Sequence, residues 1–199
     1  MIVADGYSEV PAGKLAAVVT CLEMRERPMP RPSVGFEIRA VVHPDTTWYR
    51  ELYARVGTEW LWFSRLRMPQ AELAGILEDP RVEVHALTVD GRDEGLLELD
   101  FREPGQCELA FYGLTRAVMG RGAGRALMSY AIDRAWSKPI ARFWVHTCTL
   151  DHPDALSFYL RSGFVPYARR IEVADDPRLL GEAPPDAAPH VPLIRGPVP

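Results

Sequence analysis

The sequence predicts an α+β fold with three layers, in which helices cover both faces of one mixed sheet. Apolar runs separated by turn residues predict three strands, at residues 82–88, 95–101 and 108–114. Asp90-Gly91 is a strong hairpin signal, so these strands should be antiparallel. After the third strand come a helical run (residues 123–135) and a mixed apolar run (residues 141–149). A strand, a helix and a strand in this order predict two parallel neighbouring strands.

The length and composition predict one domain with an extension at each end. The 199 residues are 47% hydrophobic and 25% charged, which is ordinary for a globular protein. We expect an N-terminal extension with one added strand (residues 1–33), a folded domain (34–173) and a proline-rich tail that is either docked or disordered (174–199).

The elements of the first half follow from local signals. Residues 15–24 and 34–42 read as strands, and the second is rich in β-branched residues. Asp45 or Thr46 is the expected N-cap of a helix that ends near Gly57, and a second helix should open within residues 58–63.

The end of the folded domain is also well marked. Asp151 or His152 is the expected N-cap of a helix with Pro153 in its first turn, and Gly163 should end that helix. Residues 164–173 then form a last strand.

The most informative stretch is the glycine-rich loop at residues 120–124, between a strand and a helix. Glycine allows positive φ and close approach of a ligand to the main chain, and the helix start presents unpaired N–H groups. The segment between Glu108 and Asp133 contains no acidic residue, whereas three arginines lie there: Arg116, Arg121 and Arg125. The pattern therefore predicts an anion site, with phosphate as the usual occupant.

The two commonest phosphate-loop motifs do not match this loop. A P-loop requires Gly-Lys-Ser/Thr, which is absent, so an NTPase is not expected. A dinucleotide fingerprint requires G-x-G-x-x-G after the first strand of a βαβ unit, whereas here the spacing is G-x-G-x-G past the middle of the chain.

The residues 119–124, Met-Gly-Arg-Gly-Ala-Gly, resemble the Q/R-x-x-G-x-G/A loop of the GNAT acetyltransferase family. A second block, residues 152–164, resembles the family pattern N-x-x-A-x-x-x-Y-x-K/R-x-G-F. Together the blocks cover about residues 109–173, in the family's order. Met119 stands where Gln or Arg is usual, and His152 stands where Asn is usual.

The resemblance implies acetyl-CoA as the cofactor and a GNAT-like mixed sheet whose two parallel strands splay apart around it. It implies that the loop cradles the pyrophosphate, that an amide near Leu114 binds the thioester carbonyl, and that His152 and Tyr159 lie along the pantetheine arm. The implied cofactor-binding residues are Leu114, Val118, Met119, Gly120, Arg121, Gly122, Ala123, Gly124, Arg125, His152 and Tyr159.

Acyl transfer to an amine requires a base for the amine and a proton donor for the leaving thiolate. By the resemblance, Tyr159 occupies the position of the family's acid tyrosine, and Glu108 stands where the family often places a carboxylate. Glu98, with Asp100 on the same strand face, and His146 in the middle of a strand are further candidates to hold a water molecule or contact the acceptor. Each of these side chains also has an ordinary packing or solvated role as its alternative.

An aromatic cluster in the first two helices, which includes Trp60 and Trp62, favours an apolar, aromatic or cationic acceptor. Plain core packing is the alternative for these rings.

The predicted function is therefore an acetyl-CoA-dependent N-acetyltransferase that acts on a small-molecule or peptide amine in a ternary complex. A non-catalytic acyl-CoA-binding module is the alternative from another class, and a Rossmann-like oxidoreductase is a weaker one. The formal net charge of −4 argues against nucleic acid as a partner. We expect no membrane contact, no metal, a cytoplasmic location with reduced cysteines, and a homodimer as one option.

Overall fold

The computed structural model describes residues 5–29 and 35–196, which form one seven-stranded sheet with helices on both faces. Expectations for residues 1–4, 30–34 and 197–199 lie outside the described residues. The strands are β1 (Lys14–Met24), β2 (Glu37–Val41), β3 (Val82–Val89), β4 (Arg92–Asp100), β5 (Gln106–Leu114), β6 (Arg142–Cys148) and β7 (Val165–Asp175). The helices are α1 (Thr46–Gly57), α2 (Ser64–Arg67), α3 (Gln70–Leu77), α4 (Ala123–Ala135) and α5 (Ala155–Ser162).

The strand order is β2-β3-β4-β5-β6-β1-β7, and the α+β fold class is confirmed. Strands β2 to β5 form an antiparallel meander, and β5 and β6 are the parallel pair on either side of α4. Strand β1 pairs antiparallel with both β6 and β7, so the N-terminal strand lies inside the sheet.

Local turn chemistry explains the elements that form where they were expected. Asp90 and Gly91 have φ values of 50° and 75°, which fits the two-residue turn between β3 and β4. The carboxylate of Asp45 accepts hydrogen bonds from the amides of Thr47 and Trp48, so Asp45 caps α1. Gly163 ends α5 in the left-handed region, with φ 107°.

Two helix starts were predicted wrongly. Leu61 has a left-handed φ of 55°, so residues 58–60 form only a 3₁₀ turn and α2 begins at Ser64. Helix α5 begins at Ala155, and its N-cap residue Asp154 makes no side-chain cap. The Asp151 carboxylate instead binds the backbone amide of Cys148 and other groups described below.

Each face of the sheet carries its own apolar core. Helix α4 packs Leu127 and Ala131 against the face that includes Leu97 and Phe143. Helices α1 and α3 bury a second cluster on the opposite face, which includes Tyr49, Leu52, Tyr53, Val56 and Leu73. No helix in the described part of the chain is long and apolar enough to cross a membrane.

The described part of the tail docks against the domain. Ala183, Ala187 and Ala188 form a small buried cluster with Leu15 of β1 and Leu61 of the loop before α2. Arg67 of α2 binds Glu182 through two nitrogens, with the Arg67 Nη2 to Glu182 Oε2 distance at 2.7 Å. The tail is therefore a packed segment that supports α2.

Candidate active site

The parallel strands β5 and β6 separate after a short contact. Their register covers only three residue pairs and ends at Glu108 and Trp144. Strand β5 continues to Leu114 and β6 continues to Cys148 without pairing to each other. The sheet therefore has a gap between β5 and β6, with Glu108 at its closed end.

Main-chain groups of β5 face this gap. The amide of Thr115 donates to the carbonyl of Glu94 at 2.9 Å, so these residues form a hydrogen-bonded pair with the β4 side. Hydrogen bonding alternates along an antiparallel pair, which directs the N–H groups of Leu114 and Tyr112 away from β4. These two N–H groups therefore point toward the side from which β6 has withdrawn.

The glycine-rich loop lies just beyond the end of β5. Gly120 and Gly122 have φ values of 74° and 88°, conformations that an L side chain rarely adopts. Gly122 is the N-cap of α4, and no side chain caps this helix. Within the described residues, the amides of residues 120–122 have no hydrogen-bond acceptor. The loop thus combines unpaired N–H groups with the positive end of a 13-residue helix.

Tyr112 holds this helix start against β5, a role that the sequence analysis missed. Its hydroxyl donates to the carbonyl of Gly124 at 2.5 Å, and its ring stacks on Phe158 of α5 with centroids 5.8 Å apart. The sequence signal for this role of Tyr112 was weak, because an aromatic residue in a strand most often belongs to the hydrophobic core.

Positive charge and an open groove adjoin the loop. Arg121 and Arg125 are exposed, and neither forms an ion pair with any described residue. A groove of about 410 Å³ runs between α4 and α5 and is lined by ten residues, among them Arg125, Phe158 and Arg161. This surface can accept an anionic, partly aromatic ligand that extends from the loop.

Tyr159 reaches the gap from α5. Its side chain is 7% exposed and is surrounded by the rings of Tyr112, Phe158 and Phe164. Its hydroxyl makes no hydrogen bond within the part of the chain that the structure describes. Burial, together with the negative charge of Asp151, raises the pKa of Tyr159 above its usual value, so the phenol remains protonated.

Glu108 has the properties of a base that works near neutrality. Burial, with the nearby charges of Asp100 and Glu98, raises the pKa of Glu108 to about 7. The side chain is still 26% exposed, and its Oε1 lies 3.9 Å from Nε2 of His146. Glu108 therefore lies at the closed end of the gap with access to solvent and with His146 beside it.

Glu98 is not placed to contact an acceptor directly. It is fully buried, one oxygen binds Arg65 Nη2 at 2.5 Å, and the other accepts from the hydroxyl of Tyr49. Because both oxygens are occupied by side chains of α1 and α2, Glu98 acts as an internal charge. It raises the pKa of Glu108, while Arg65 opposes that shift.

Trp62 and Asp151 join the two sides of the gap. The indole N–H of Trp62 donates to Asp151 at 3.1 Å, and Asp151 also accepts from the Thr147 hydroxyl at 2.7 Å. The ring of Trp62 lies close to Gly57 and Gly113, where an added Cβ would come within 2.6 Å and 3.1 Å of ring atoms, respectively. The main role of Trp62 is thus packing along the side of the gap, and its hydrogen bond to Asp151 connects it to the end of β6.

Trp60, His152 and His146 remain available to ligands. The Trp60 and His152 rings meet edge to face with centroids 5.0 Å apart, and the His152 Nδ1 accepts from the Asp154 amide at 3.1 Å. The His146 side chain is 51% exposed. The structure therefore groups Tyr159 and the loop at one end of the gap, with Glu108 and His146 at the other.

Comparison with family models places this architecture among known proteins. The model of the acetyltransferase (GNAT) family matches residues 48–164, which is more than half of the chain and includes α4, the glycine-rich loop and α5. A comparison with curated proteins finds none that matches.

Solved structures with the same fold share little sequence with this chain. A conserved Staphylococcus epidermidis protein described as functionally unknown has a TM-score of 0.60 at 14% identity, covering 82% of this chain and 63% of its own. GCN5-related N-acetyltransferases from Sphaerobacter thermophilus and Kribbella flavida have TM-scores of 0.58 and 0.55 at 16% and 17% identity. They match 83% and 85% of this chain, which spans 53% and 63% of their lengths.

Proposed function

This chain belongs to the acetyltransferase (GNAT) family, and we propose that it transfers the acetyl group of acetyl-CoA to an amine. The amine belongs to a small molecule or a peptide, and it attacks the thioester directly in a ternary complex. The observation that carries the proposal is the gap between β5 and β6, with unpaired loop amides at one end and Glu108 at the other.

The cofactor is held mainly by the main chain. The pyrophosphate lies on the amides of residues 120–124, with Arg121 and Arg125 adding positive charge and Val118 and Met119 leading into the loop. The pantetheine arm enters the gap, and the N–H of Leu114 donates to the thioester carbonyl as an oxyanion-hole donor. His152 borders the arm at the position where the family usually has Asn.

Proton transfer assigns separate roles to two side chains. Glu108, directly or through a water molecule, takes a proton from the amine as its nitrogen forms a bond to the acetyl carbon. The C–S bond then breaks, and Tyr159 donates its hydroxyl proton to the leaving thiolate. A pKa near 7 suits Glu108 to this task at neutral pH, since the carboxylate is then substantially ionised.

The acceptor approaches from the side of the sheet that carries α1 and α2. Trp60 and His146 are its proposed contacts. Trp62 packs along the side of the gap, and the buried charge of Glu98 acts only indirectly, by raising the pKa of Glu108. We place the reaction in the cytoplasm, where the three free cysteines would remain reduced. Because β1 lies inside the sheet, the working unit includes residues 14–24 as well as the proposed domain of residues 34–173.

A thiol-release assay tests the proposal. Acetyl-CoA is incubated with the protein and a panel of amines, and free CoA is detected by a thiol reagent. Amine-dependent thiol release by the wild type, strongly reduced in Glu108→Gln, supports the enzyme. Binding of acetyl-CoA without thiol release for any amine would instead support a non-catalytic acyl-CoA module, and absence of binding would contradict both.

A further inference from the structure

Strand β7 ends the sheet with an open edge. It pairs with β1 on one side, and no strand within residues 5–29 and 35–196 pairs with its other side. The strand is unusually apolar for an exposed edge, since the side chains of Ile171 and Val173 are 53% and 52% exposed. Val18, the neighbour of Ile171 on β1, is also exposed.

The hydrogen-bond pattern shows which main-chain groups of β7 are available. Val18 exchanges hydrogen bonds with Thr149 after β6, so its main-chain groups point away from β7. By alternation, Val19 and its register partner Arg170 bond to each other. The amide of Asp176 donates to the carbonyl of Gly13, which agrees with this alternation, because the even-numbered residues of β7 are then the ones that bond to β1.

The main-chain N–H and C=O groups of Arg169, Ile171 and Val173 therefore point away from β1, toward the open side of β7. Pro166 lacks an N–H and lies beyond the irregularity in the β1–β7 register, so it limits the open edge at its N-terminal end. The available edge is therefore centred near Ile171.

Charges on this edge are self-complementary. Arg170 and Glu172 flank Ile171, both are exposed, and neither has an ion-pair partner among the described side chains. If two copies of β7 run antiparallel about a two-fold axis at Ile171, residue i faces residue 342 − i, by arithmetic on the numbering. Arg170 of each copy then faces Glu172 of the other, which places opposite charges across the strands twice.

We propose that β7 is the interface with a second copy of this chain, paired antiparallel about Ile171. In this register the outward N–H and C=O groups of Ile171 bond to their symmetry mates, and Arg169 bonds to Val173 of the second copy. The two sheets join into one, and the open edge of β7 is covered in both copies.

The test is the oligomeric state, measured by sedimentation velocity over a concentration series. The wild type should sediment as a dimer at high concentration. Arg170→Glu and Glu172→Arg should each weaken the dimer about tenfold or more, because each places two like-charged pairs across the strands. The double charge swap should restore dimerisation, since it recreates both opposite-charge pairs.

Two further variants keep the test independent of folding. Arg169→Glu makes the same charge change on the same strand but faces Val173, so it should weaken the dimer much less than Arg170→Glu. Ile171→Pro removes an outward N–H that β1 does not use, and it should give a folded monomer, as checked by circular dichroism.

Several results would overturn the proposal. A wild type that remains monomeric at the highest concentration would do so, and so would a dimer indifferent to the charge reversals. A dimer strengthened by Arg170→Glu would also contradict it, since that outcome requires Arg170 to face a basic residue at another position instead of Glu172. A dimer that the double swap fails to restore would contradict this register.

Discussion

Neutralising Glu108 should change how the stability of the fold depends on pH. The pKa of Glu108 is raised from 4.5 to about 7, mainly by burial. The folded chain therefore holds this proton more tightly than the unfolded chain does. The free energy of unfolding should then fall as pH rises from about 4.5 to about 7 and change little above that range, as far as Glu108 contributes.

The size of the effect follows from the shift. A shift of this size corresponds to about 3 kcal/mol, and partial exposure of the side chain reduces it toward about 2 kcal/mol. Glu108→Gln does not titrate, so its stability relative to the wild type should improve by about 2–3 kcal/mol between the acid and the neutral end of the window. Urea unfolding followed by circular dichroism across this pH range measures the difference.

The same titration should appear in activity. For wild type, kcat/KM expressed per concentration of the uncharged amine should rise about tenfold per pH unit below 7 and level off above it, as expected for a base that must be ionised. Glu103→Gln is the matched control, because it neutralises an exposed carboxylate in the turn before β5. Stability profiles that are parallel for wild type and Glu108→Gln would refute a raised pKa and with it the proposed role of Glu108.

Three other predictions concern groups around the gap. Tyr159→Phe should lower kcat by about 10²–10⁴ while acetyl-CoA affinity changes little, as steady-state kinetics and calorimetry would show. Asp151→Asn should destabilise the fold by about 1–3 kcal/mol in urea unfolding, because the carboxylate holds Trp62 and a β6 amide. Glu182→Gln should weaken the ion pair that holds the tail to Arg67, so the tail should open more often and be cut faster in limited proteolysis.

Each of these predictions has its own control and contrary result. Tyr130→Phe removes a hydroxyl on α4 that lies far from the gap in contact with His85, and it should leave kcat unchanged. A loss confined to cofactor affinity would make Tyr159 a binding residue. An unchanged urea midpoint in Asp151→Asn would remove the link to Trp62, and unchanged cleavage in Glu182→Gln would show that apolar packing alone holds the tail.

Sequence reasoning worked where a single local signal decides the structure. The Asp90-Gly91 turn and the glycines at 120 and 122 require positive φ, which the residue types themselves reveal. The parallel pair around α4 follows from chain order, because a strand can return in the same direction only after a crossover.

The same reasoning failed where distant residues decide the local structure. Leu61 takes a left-handed conformation and is buried with Leu15 and the tail residue Ala188, so the helix expected there starts later. Asp151 or His152 was expected to cap α5, but the Asp151 carboxylate binds Trp62, which lies 89 positions earlier in the chain. The place of β1 between β6 and β7 likewise depends on pairing choices that no local signal records.

The candidate site shows the same division. The loop and Tyr159 are local motifs, whereas the burial of Glu98 with Arg65 and Tyr49 brings together β4, α2 and α1. The resemblance favoured Glu108 as the base, and the sequence pattern kept Glu98 as a further candidate near the acceptor. Only the tertiary structure distinguishes the internal ion pair from the accessible carboxylate.

A pair of glycine variants isolates the contribution of the loop. Gly120 and Gly91 have nearly equal positive φ, 74° and 75°, and an added Cβ at either meets nothing within 4 Å. The backbone cost of an Ala substitution should therefore be similar at both, about 1 kcal/mol. Acetyl-CoA titrated calorimetrically should bind Gly120→Ala more weakly and Gly91→Ala as it binds wild type. Equal binding by both variants would remove the loop from the cofactor site.

A crystal structure with acetyl-CoA bound tests the central claim most directly. The diphosphate should lie within hydrogen-bonding distance, about 3 Å, of the amides of residues 120–124, with the thioester in the gap between β5 and β6. A diphosphate held elsewhere, with these amides facing only solvent, would contradict the claim that the main chain of this loop binds the cofactor.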